Sequence, residues 1–219
     1  MSQVTLIIND VEVKANKGMT ILQAARSVGA DIPTLCSHQE LAPYGACRLC
    51  TVEIIRGQQS QLVASCVNPV EDGLIVNTES EPVIRGRKML LALLWARAPG
   101  VQVLRKYGIK YGITEVQAGT GYGIIPGTST TKTKFKIEPT FCALCGLCVR
   151  YCAEVKKKNA IGFVGRGTER EVVFLPEIAS KECPNCGEEC YPLCPTGALP
   201  LYYALAEALY STEDLRIKG

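Results

Sequence analysis

The sequence lacks several features that would assign it at once to a large functional class. Its 219 residues include one histidine and one tryptophan, and its longest apolar run, residues 89–96, is short. A membrane-spanning helix needs roughly 20 apolar residues, so none is predicted. The 24 Lys and Arg residues nearly balance 21 Asp and Glu residues. The resulting net charge of +3 gives no reason to expect nucleic acid or an anionic membrane as a partner.

The amino terminus also lacks the basic segment and apolar stretch of a secretory signal. We therefore expect a cytoplasmic protein, in a compartment that keeps thiols reduced. Under those conditions, patterned cysteines favour metal ligands over a disulfide framework. Apolar residues make up 47% of the chain, which is enough for a packed core, and the length allows two small domains.

Twelve cysteines are the most informative feature that is present, and they fall into three groups of four. The groups are Cys36, Cys47, Cys50 and Cys66; Cys142, Cys145, Cys148 and Cys152; and Cys183, Cys186, Cys190 and Cys194. Four thiolates form the ligand set of a [2Fe–2S] or a [4Fe–4S] cluster. Three clusters in one small chain leave little room for a reaction site. The pattern therefore predicts an electron-transfer protein without catalytic residues of its own.

The first group predicts a [2Fe–2S] cluster, with three ligands on one loop and a fourth from a later strand. Its order is Cys36-x10-Cys47-x2-Cys50-x15-Cys66, whereas plant-type ferredoxins have four residues between the first two ligands. Gly45 and Ala46 are small enough for backbone amides to approach the sulfur atoms. A zinc site is the alternative, although structural zinc sites usually combine two short cysteine knuckles and this group has one.

The single histidine, His38, follows Cys36 by two residues. A Rieske centre takes two histidine ligands, so this type of cluster is excluded. We expect His38 to be a surface side chain near the cluster loop. A cluster ligand and a hydrogen bond to a sulfur atom are the alternatives.

The second group follows the bacterial ferredoxin spacing except that Ala153 replaces the terminal proline, and the third group has Pro195 but one extra residue before Cys190. In two-cluster ferredoxins the last cysteine of each run binds the other cluster. We therefore predict two [4Fe–4S] clusters with crossed ligands. One set is Cys142, Cys145, Cys148 and Cys194, and the other is Cys183, Cys186, Cys190 and Cys152. A pair of zinc ribbons is the alternative, but it would need knuckles separated by longer hairpins.

Hydrophobic patterning predicts an α+β fold with four segments. Residues 1–80 have alternating apolar residues typical of strands, and a capping box at Thr20 and Gln23 that begins a helix ending at Gly29. The predicted strands are residues 4–8, 11–15, 51–55, 61–65 and 74–77. Residues 81–133 form a helical segment and linker, residues 134–200 the two-[4Fe–4S] ferredoxin domain, and residues 201–219 a C-terminal helix and tail.

Two further patterns concern the helical segment and the ferredoxin domain. A helix is predicted after Pro82, with Val83, Leu90, Leu91 and Leu94 on one face, and the stretch from Met89 to Trp95 is either core or a docking surface. A shorter helix follows over residues 101–107. Residues 161–164 and 171–175 are predicted strands between the two cysteine runs.

The segments PTLCSHQELAPYGACRLCTVEI and LVASCVNPVEDGLIVNTES resemble the ferredoxin-like start of the large iron–sulfur subunit of respiratory complex I. They are also similar to the small iron–sulfur subunit of NAD-reducing hydrogenases and related diaphorase modules. The C-terminal part resembles the two-cluster ferredoxin domain that follows in those proteins. The resemblance implies a β-grasp [2Fe–2S] domain, a helical linker and a two-[4Fe–4S] domain. It also implies a partner subunit that carries FMN and binds NAD(H).

One departure from these relatives is informative. They usually insert a cluster held by one histidine and three cysteines between the two domains. Here residues 96–100 and the stretch that follows supply neither residue type. The departure favours an accessory subunit of a soluble hydrogenase, formate dehydrogenase or electron-bifurcating transhydrogenase over a direct role in complex I.

No nucleotide site is predicted in the chain itself. Residues 119–123 read Gly-Thr-Gly-Tyr-Gly, which is not the G-x-G-x-x-G fingerprint and is better explained as a flexible linker. The sequence therefore predicts an electron-transfer subunit that connects a flavin/NAD(H)-binding subunit with another redox subunit. A free-standing polyferredoxin and a zinc-stabilised binding module are the alternatives.

Overall fold

A computed structural model describes residues 2–113 and 141–199 of the chain. The chain divides into two compact units. The first comprises the residues up to Leu93 and a segment that begins at Tyr107, and the second comprises Leu94–Lys106 and the described residues from Phe141 onwards. The predicted linker at residues 119–123, the predicted domain start near residue 134 and the predicted C-terminal helix lie outside the described residues.

A five-stranded mixed sheet forms the centre of the first unit. Its strands are β1 (Gln3–Ile8), β2 (Val11–Asn16), β3 (Thr51–Arg56), β4 (Gln59–Ala64) and β5 (Ile75–Asn77). The strand order is β2-β1-β5-β3-β4. Strand β1 pairs antiparallel with β2 and parallel with β5, and β3 pairs antiparallel with both β4 and β5. These strands agree with the sequence-based prediction to within two residues at each end.

The buried face of the sheet follows directly from the alternation of apolar residues. Leu6 and Ile8 on β1 and Val13 and Ala15 on β2 are buried, and they share one hydrophobic core with helix α1 (Ile21–Ser27). Successive side chains of a strand point to opposite faces, so this spacing places all four on the core side.

Helix α1 begins with the predicted capping box. Thr20 is the N-cap, its side chain accepts a hydrogen bond from the Gln23 N–H, and the Gln23 side chain accepts one from the Thr20 N–H. These bonds satisfy amide groups that have no partner within the helix. Val28 is the C-cap residue of the helix, and its side chain is 45% exposed.

Helices α2 (Glu81–Arg97) and α3 (Gln102–Lys110) follow the sheet. Pro82 lies in the first turn of α2, where its missing N–H costs no hydrogen bond. The buried positions of α2 include Val83, Arg87, Leu91 and Trp95, which are spaced by four residues. An arginine therefore occupies a position on the buried face, which the apolar pattern did not predict.

The second unit contains the remaining eight cysteines. Its elements are α4 (Leu147–Arg150), a π-helical turn (Tyr151–Val155), β6 (Ile161–Val164), β7 (Glu171–Phe174) and α5 (Pro176–Cys190). Strands β6 and β7 pair antiparallel as a two-stranded sheet. The two strands were predicted, whereas α5 was not. None of the helices in residues 2–113 and 141–199 combines the length and the apolar content needed to cross a membrane.

Candidate metal centres

The first cysteine group lies at one end of the five-stranded sheet. Cys36, Cys47 and Cys50 are on the loop between α1 and β3, and Cys66 follows β4. The Sγ atoms of Cys36 and Cys47 are 3.4 Å apart, and the Cys66 side chain is within hydrogen-bond reach of both Cys36 and Cys50. The structure therefore brings together the four cysteines that the spacing grouped. Three of them are buried, and Cys47 is partly exposed.

Backbone amides approach the sulfur atoms of this loop closely. The Cys47 N–H donates a hydrogen bond to the Cys36 Sγ at 3.3 Å, and the Ala46 backbone also interacts with that sulfur. Gly45 has a φ of +68°, and a Cβ at this position would lie 3.1 Å from the Val67 Cγ1 atom. A glycine is thus favoured here both by the backbone conformation and by the neighbouring side chain. Such N–H···S contacts stabilise thiolate ligands and tune cluster potentials.

The four sulfur atoms strongly perturb one another's ionisation. Hydrogen bonding from Cys47 and Cys66 lowers the pKa of Cys36 to about 2, and contact with Cys66 lowers the pKa of Cys50 to about 6. The pKa values of Cys47 and Cys66 are raised, chiefly by the hydrogen bonds that each side chain shares with Cys36. Two of the sulfurs thus favour the thiolate form while their neighbours keep a proton.

The second set combines three cysteines of the middle run with the last cysteine of the chain. Cys142, Cys145, Cys148 and Cys194 line one cavity. Burial raises the pKa of Cys142 and Cys148, and the nearby Cys194 raises both further. The Cys194 Sγ atom is 3.2 Å from the Thr196 Oγ1 atom, within hydrogen-bond distance. Cys194 therefore lies with the middle run rather than with its own.

The third set gathers around helix α5. Burial raises the pKa of Cys183 and Cys190 to about 12 each, and Cys186 and Cys152 are close enough to contribute to both shifts. Cys152 also raises the pKa of Cys186. The Cys152 Sγ atom accepts a hydrogen bond from the Ala160 N–H at 3.1 Å. Cys152 is therefore placed beside the cysteines of the third run.

The donor chemistry of the three sets fits iron–sulfur clusters. Neighbouring thiolates repel one another, so four of them in one place need a positively charged core among them. Cluster formation takes four thiolates and distributes them over two or four irons. In the part of the chain that the structure describes, no group of three or more His, Cys, Asp or Glu side chains has the arrangement of a site for a single metal ion.

His38 is partly buried in the loop of the first group. Its side chain is 23% exposed, and its Nδ1 atom accepts a hydrogen bond from the Glu40 N–H at 3.3 Å. We expected a surface side chain near the cluster loop; His38 lies in that loop, but most of its side chain is covered. The imidazole is tied to the local backbone of the loop, two residues after Cys36.

Arg87 is the residue near the first group that sequence reasoning missed. It is completely buried, and its guanidinium contacts the backbone on both sides of Cys50. The sequence did indicate that Arg87 is buried, because Arg87 lies four residues from both Val83 and Leu91 on the apolar face of α2.

Two ion pairs attach the loop after Cys152 to helix α5. The Lys158 Nζ atom is 2.7 Å from a carboxylate oxygen of Glu182, and Lys156 pairs with Glu189. Both glutamates belong to the helix that carries Cys183, Cys186 and Cys190. These pairs therefore help to hold the two parts of the third set together.

Replacing Gly100 with alanine is expected to disturb the second set. A Cβ at this position would lie 2.7 Å from the Cε1 atom of Phe141, which directly precedes Cys142. The ring must move, and overpacking of this kind typically costs about 1–3 kcal/mol of unfolding free energy. We expect a lower thermal midpoint and a reduced yield of the cluster predicted at Cys142. Gly162→Ala, which meets no atom within 4 Å, is the matched control. Equal behaviour of the two variants would contradict the expected effect.

Fold and cysteine geometry together define the class of the first unit. A five-stranded mixed sheet with one packed helix and a four-cysteine loop is a [2Fe–2S] ferredoxin-like domain within an α+β protein. Residues 1–81 match the family described as "2Fe-2S iron-sulfur cluster binding domain". The match ends one residue beyond the predicted boundary at residue 80.

Comparison with individual proteins confirms the wider resemblance. The chain is 33% identical over 204 residues to the NADPH-Fe(3+) oxidoreductase subunit alpha of Geobacter sulfurreducens, covering 90% of this chain and 24% of the relative. It is 30% identical over 234 residues to the NADH-ubiquinone oxidoreductase 75 kDa subunit of Reclinomonas americana, covering 98% and 32%. It is 32% identical over 219 residues to the NADP-reducing hydrogenase subunit HndD of Solidesulfovibrio fructosivorans, covering 91% and 36%.

A solved structure extends this likeness to the fold of most of the chain. The crystal structure of NAD+-reducing [NiFe]-hydrogenase in the H2-reduced state contains a chain that is 29% identical, with a TM-score of 0.70. The alignment covers 90% of this chain and 86% of that chain. By contrast, the chain spans about a quarter to a third of the length of the curated relatives that it matches. The chain is therefore similar to subunits of complex I and of NAD(P)-linked hydrogenases, as its cysteine motifs predicted.

Proposed function

We propose that this chain transfers electrons within a larger NAD(P)(H)-linked redox assembly. The observation that carries the proposal is the gathering of all twelve cysteines into three sets of four, two of which combine cysteines from different runs. The relatives are named as subunits of oxidoreductases and hydrogenases that use NAD(H) or NADP(H), and this supports the same setting here.

The proposed cofactors are one [2Fe–2S] cluster and two [4Fe–4S] clusters. The proposed ligands are Cys36, Cys47, Cys50 and Cys66 for the first; Cys142, Cys145, Cys148 and Cys194 for the second; and Cys183, Cys186, Cys190 and Cys152 for the third. In domain terms, residues 1–80 hold the first cluster and residues 134–200 hold the other two, with residues 81–133 between them and residues 201–219 as a tail. When bound, such clusters accept and release single electrons.

The residues of the chain contribute burial, hydrogen bonds and rigidity. All twelve cysteine side chains are buried or partly buried, which limits the access of water to the sulfur atoms. Amides such as those of Cys47 and Ala160 donate to sulfur and thereby favour the ligating thiolate. Cys194 of the third run completes the second set, and Cys152 of the second run completes the third set. Each set therefore needs cysteines from both runs.

The partners we propose are a flavin/NAD(H)-binding subunit that carries FMN and a further redox subunit. The sequence has no cysteine or histidine between residues 67 and 141, so the histidine-and-cysteine cluster usual in the complex I relatives has no ligands here. This favours a hydrogenase, formate dehydrogenase or electron-bifurcating transhydrogenase assembly. Twelve free thiols also favour the reducing cytoplasm as the place of assembly.

The proposal is tested by isolating the chain anaerobically from its native host with its partners still attached. We expect a brown preparation that contains a flavoprotein, and EPR spectra in which NADH or NADPH reduces the iron–sulfur signals. After the flavoprotein has been removed, dithionite should still reduce the clusters while the nicotinamide should not. A colourless chain containing zinc would establish the binding-module alternative. A brown chain that migrates alone in native extract would establish the free-standing ferredoxin.

A further inference from the structure

Arg87 makes four hydrogen bonds from a position with no exposure to solvent. Its Nε donates to the Leu49 carbonyl at 3.2 Å, and its Nη2 donates to the Thr51 carbonyl at 2.8 Å. Its Nη1 donates to the Glu79 Oε1 atom at 3.0 Å and to the Tyr111 hydroxyl at 2.8 Å. One guanidinium from helix α2 thus holds the carbonyls immediately before and after Cys50.

We propose that Arg87 is a positioning residue for the [2Fe–2S] centre, which fixes the Cys50 ligand and raises the reduction potential through its buried positive charge. This inference rests on the proposed function, because it requires a cluster bound to Cys50. It goes beyond that function by assigning control of the potential to a residue outside the ligand set.

The positioning effect follows from the hydrogen bonds around Cys50. Arg87 holds the Leu49 and Thr51 carbonyls, and the Cys50 carbonyl accepts from the Ser65 N–H at 3.1 Å and the Ser65 Oγ at 2.7 Å. Three successive carbonyls are therefore fixed by partners outside the loop. The guanidinium is a rigid planar fork, so the two peptide groups cannot rotate independently. Ligand side chains need such outer support to hold their geometry.

The electrostatic effect follows from the unequal burial of Arg87 and its acidic partner. The Arg87 side chain is 0% exposed, whereas the Glu79 side chain is 45% exposed. Water screens the carboxylate more strongly than the guanidinium, so the carboxylate only partly cancels the field of the cation. A positive charge near the cluster favours the form that has gained an electron. Arg87 therefore raises the reduction potential, and Glu79 lowers it.

The test compares the [2Fe–2S] midpoint potential, measured by an EPR-monitored redox titration, in the full chain and four variants. Arg87→Gln removes the charge, and we expect at least a tenfold shift of the one-electron equilibrium toward the oxidised form, about 59 mV. Glu79→Gln removes the opposing charge and should move the potential in the positive direction. Arg87→Lys keeps the charge but not the fork, so it should retain most of the potential while lowering the thermal midpoint.

Arg85→Gln is the matched control, since Arg85 lies on the same helix but its side chain is 76% exposed and pairs with Glu81. Its potential should equal that of the unmodified chain. Unchanged potentials in both Arg87→Gln and Glu79→Gln would overturn the inference and leave Arg87 with a structural role. If Arg87→Gln does not assemble the cluster, Glu79→Gln alone tests the inference. A positive shift of its midpoint potential supports the inference, and an unchanged or negative one overturns it. Absence of any [2Fe–2S] signal in the unmodified chain would instead overturn the proposed function.

Discussion

Replacing Cys152 with alanine is expected to abolish the cluster assigned to Cys183, Cys186 and Cys190, although Cys152 belongs to the preceding run of the sequence. Alanine has no ligand atom, so the third set would lose one of its four thiolates. The structure places the Cys152 sulfur close enough to all three of the other cysteines to shift their pKa values. The measurement is the EPR spectrum of the anaerobic, dithionite-reduced protein.

Cys145→Ala is the matched control for this prediction, because Cys145 lies in the same run but lines the cavity of the second set. It should remove the other [4Fe–4S] signal and leave the cluster of Cys152 in place. The crossed assignment would be wrong if Cys152→Ala removed only the cluster of Cys142, Cys145 and Cys148. The two variants therefore separate crossed from uncrossed ligands within one experiment.

Replacing Cys47 with alanine is expected to remove the [2Fe–2S] signal completely and to leave both [4Fe–4S] signals unchanged. Cys47 contributes its sulfur to the first set, 3.4 Å from that of Cys36, and its amide donates to the Cys36 sulfur. It is also the most exposed cysteine of this set, so its loss should damage the apolar core least. EPR spectra recorded at two temperatures distinguish the [2Fe–2S] signal from the others.

Tyr44→Phe provides the control, because Tyr44 is a partly exposed side chain of the same loop. Its [2Fe–2S] signal should be that of the unmodified chain. A full [2Fe–2S] signal in Cys47→Ala would remove this cysteine from the ligand set. Simultaneous loss of all three signals would instead indicate that the Cys47→Ala variant unfolds as a whole.

The strands and first helix were predictable because their signals are local. Alternation at Leu6 and Ile8 defines the buried face of β1 without reference to any other part of the chain. The capping box at Thr20 and Gln23 likewise depends on residues three positions apart. The grouping of the cysteines could be predicted for a related reason, since the spacing of cluster ligands follows from the geometry of the cluster that a loop encloses. Their assignment as cluster ligands stays a prediction.

Helix α5 was missed because Pro184 lies inside it, and proline normally argues against a helix interior. A second signal pointed the other way. Cys183, Cys186 and Cys190 are spaced by three and four residues, and this spacing places side chains on one face of a helix. The cysteine spacing of the third run therefore also fits a helix, and α5 forms despite Pro184.

The role of Arg87 could not be predicted from pattern alone. Its acceptors at Leu49 and Thr51 are 38 and 36 residues away in sequence, and only the packing of α2 against the sheet brings them into reach. Arginine is rarely buried without partners, so its place on an apolar face signals that partners exist. The identity of those partners is a property of the tertiary structure.

Iron and acid-labile sulfide analysis of freshly isolated anaerobic protein tests the central claim most directly. One [2Fe–2S] and two [4Fe–4S] clusters predict about ten iron and about ten sulfide atoms per chain. A preparation with far fewer irons and no sulfide would contradict the account.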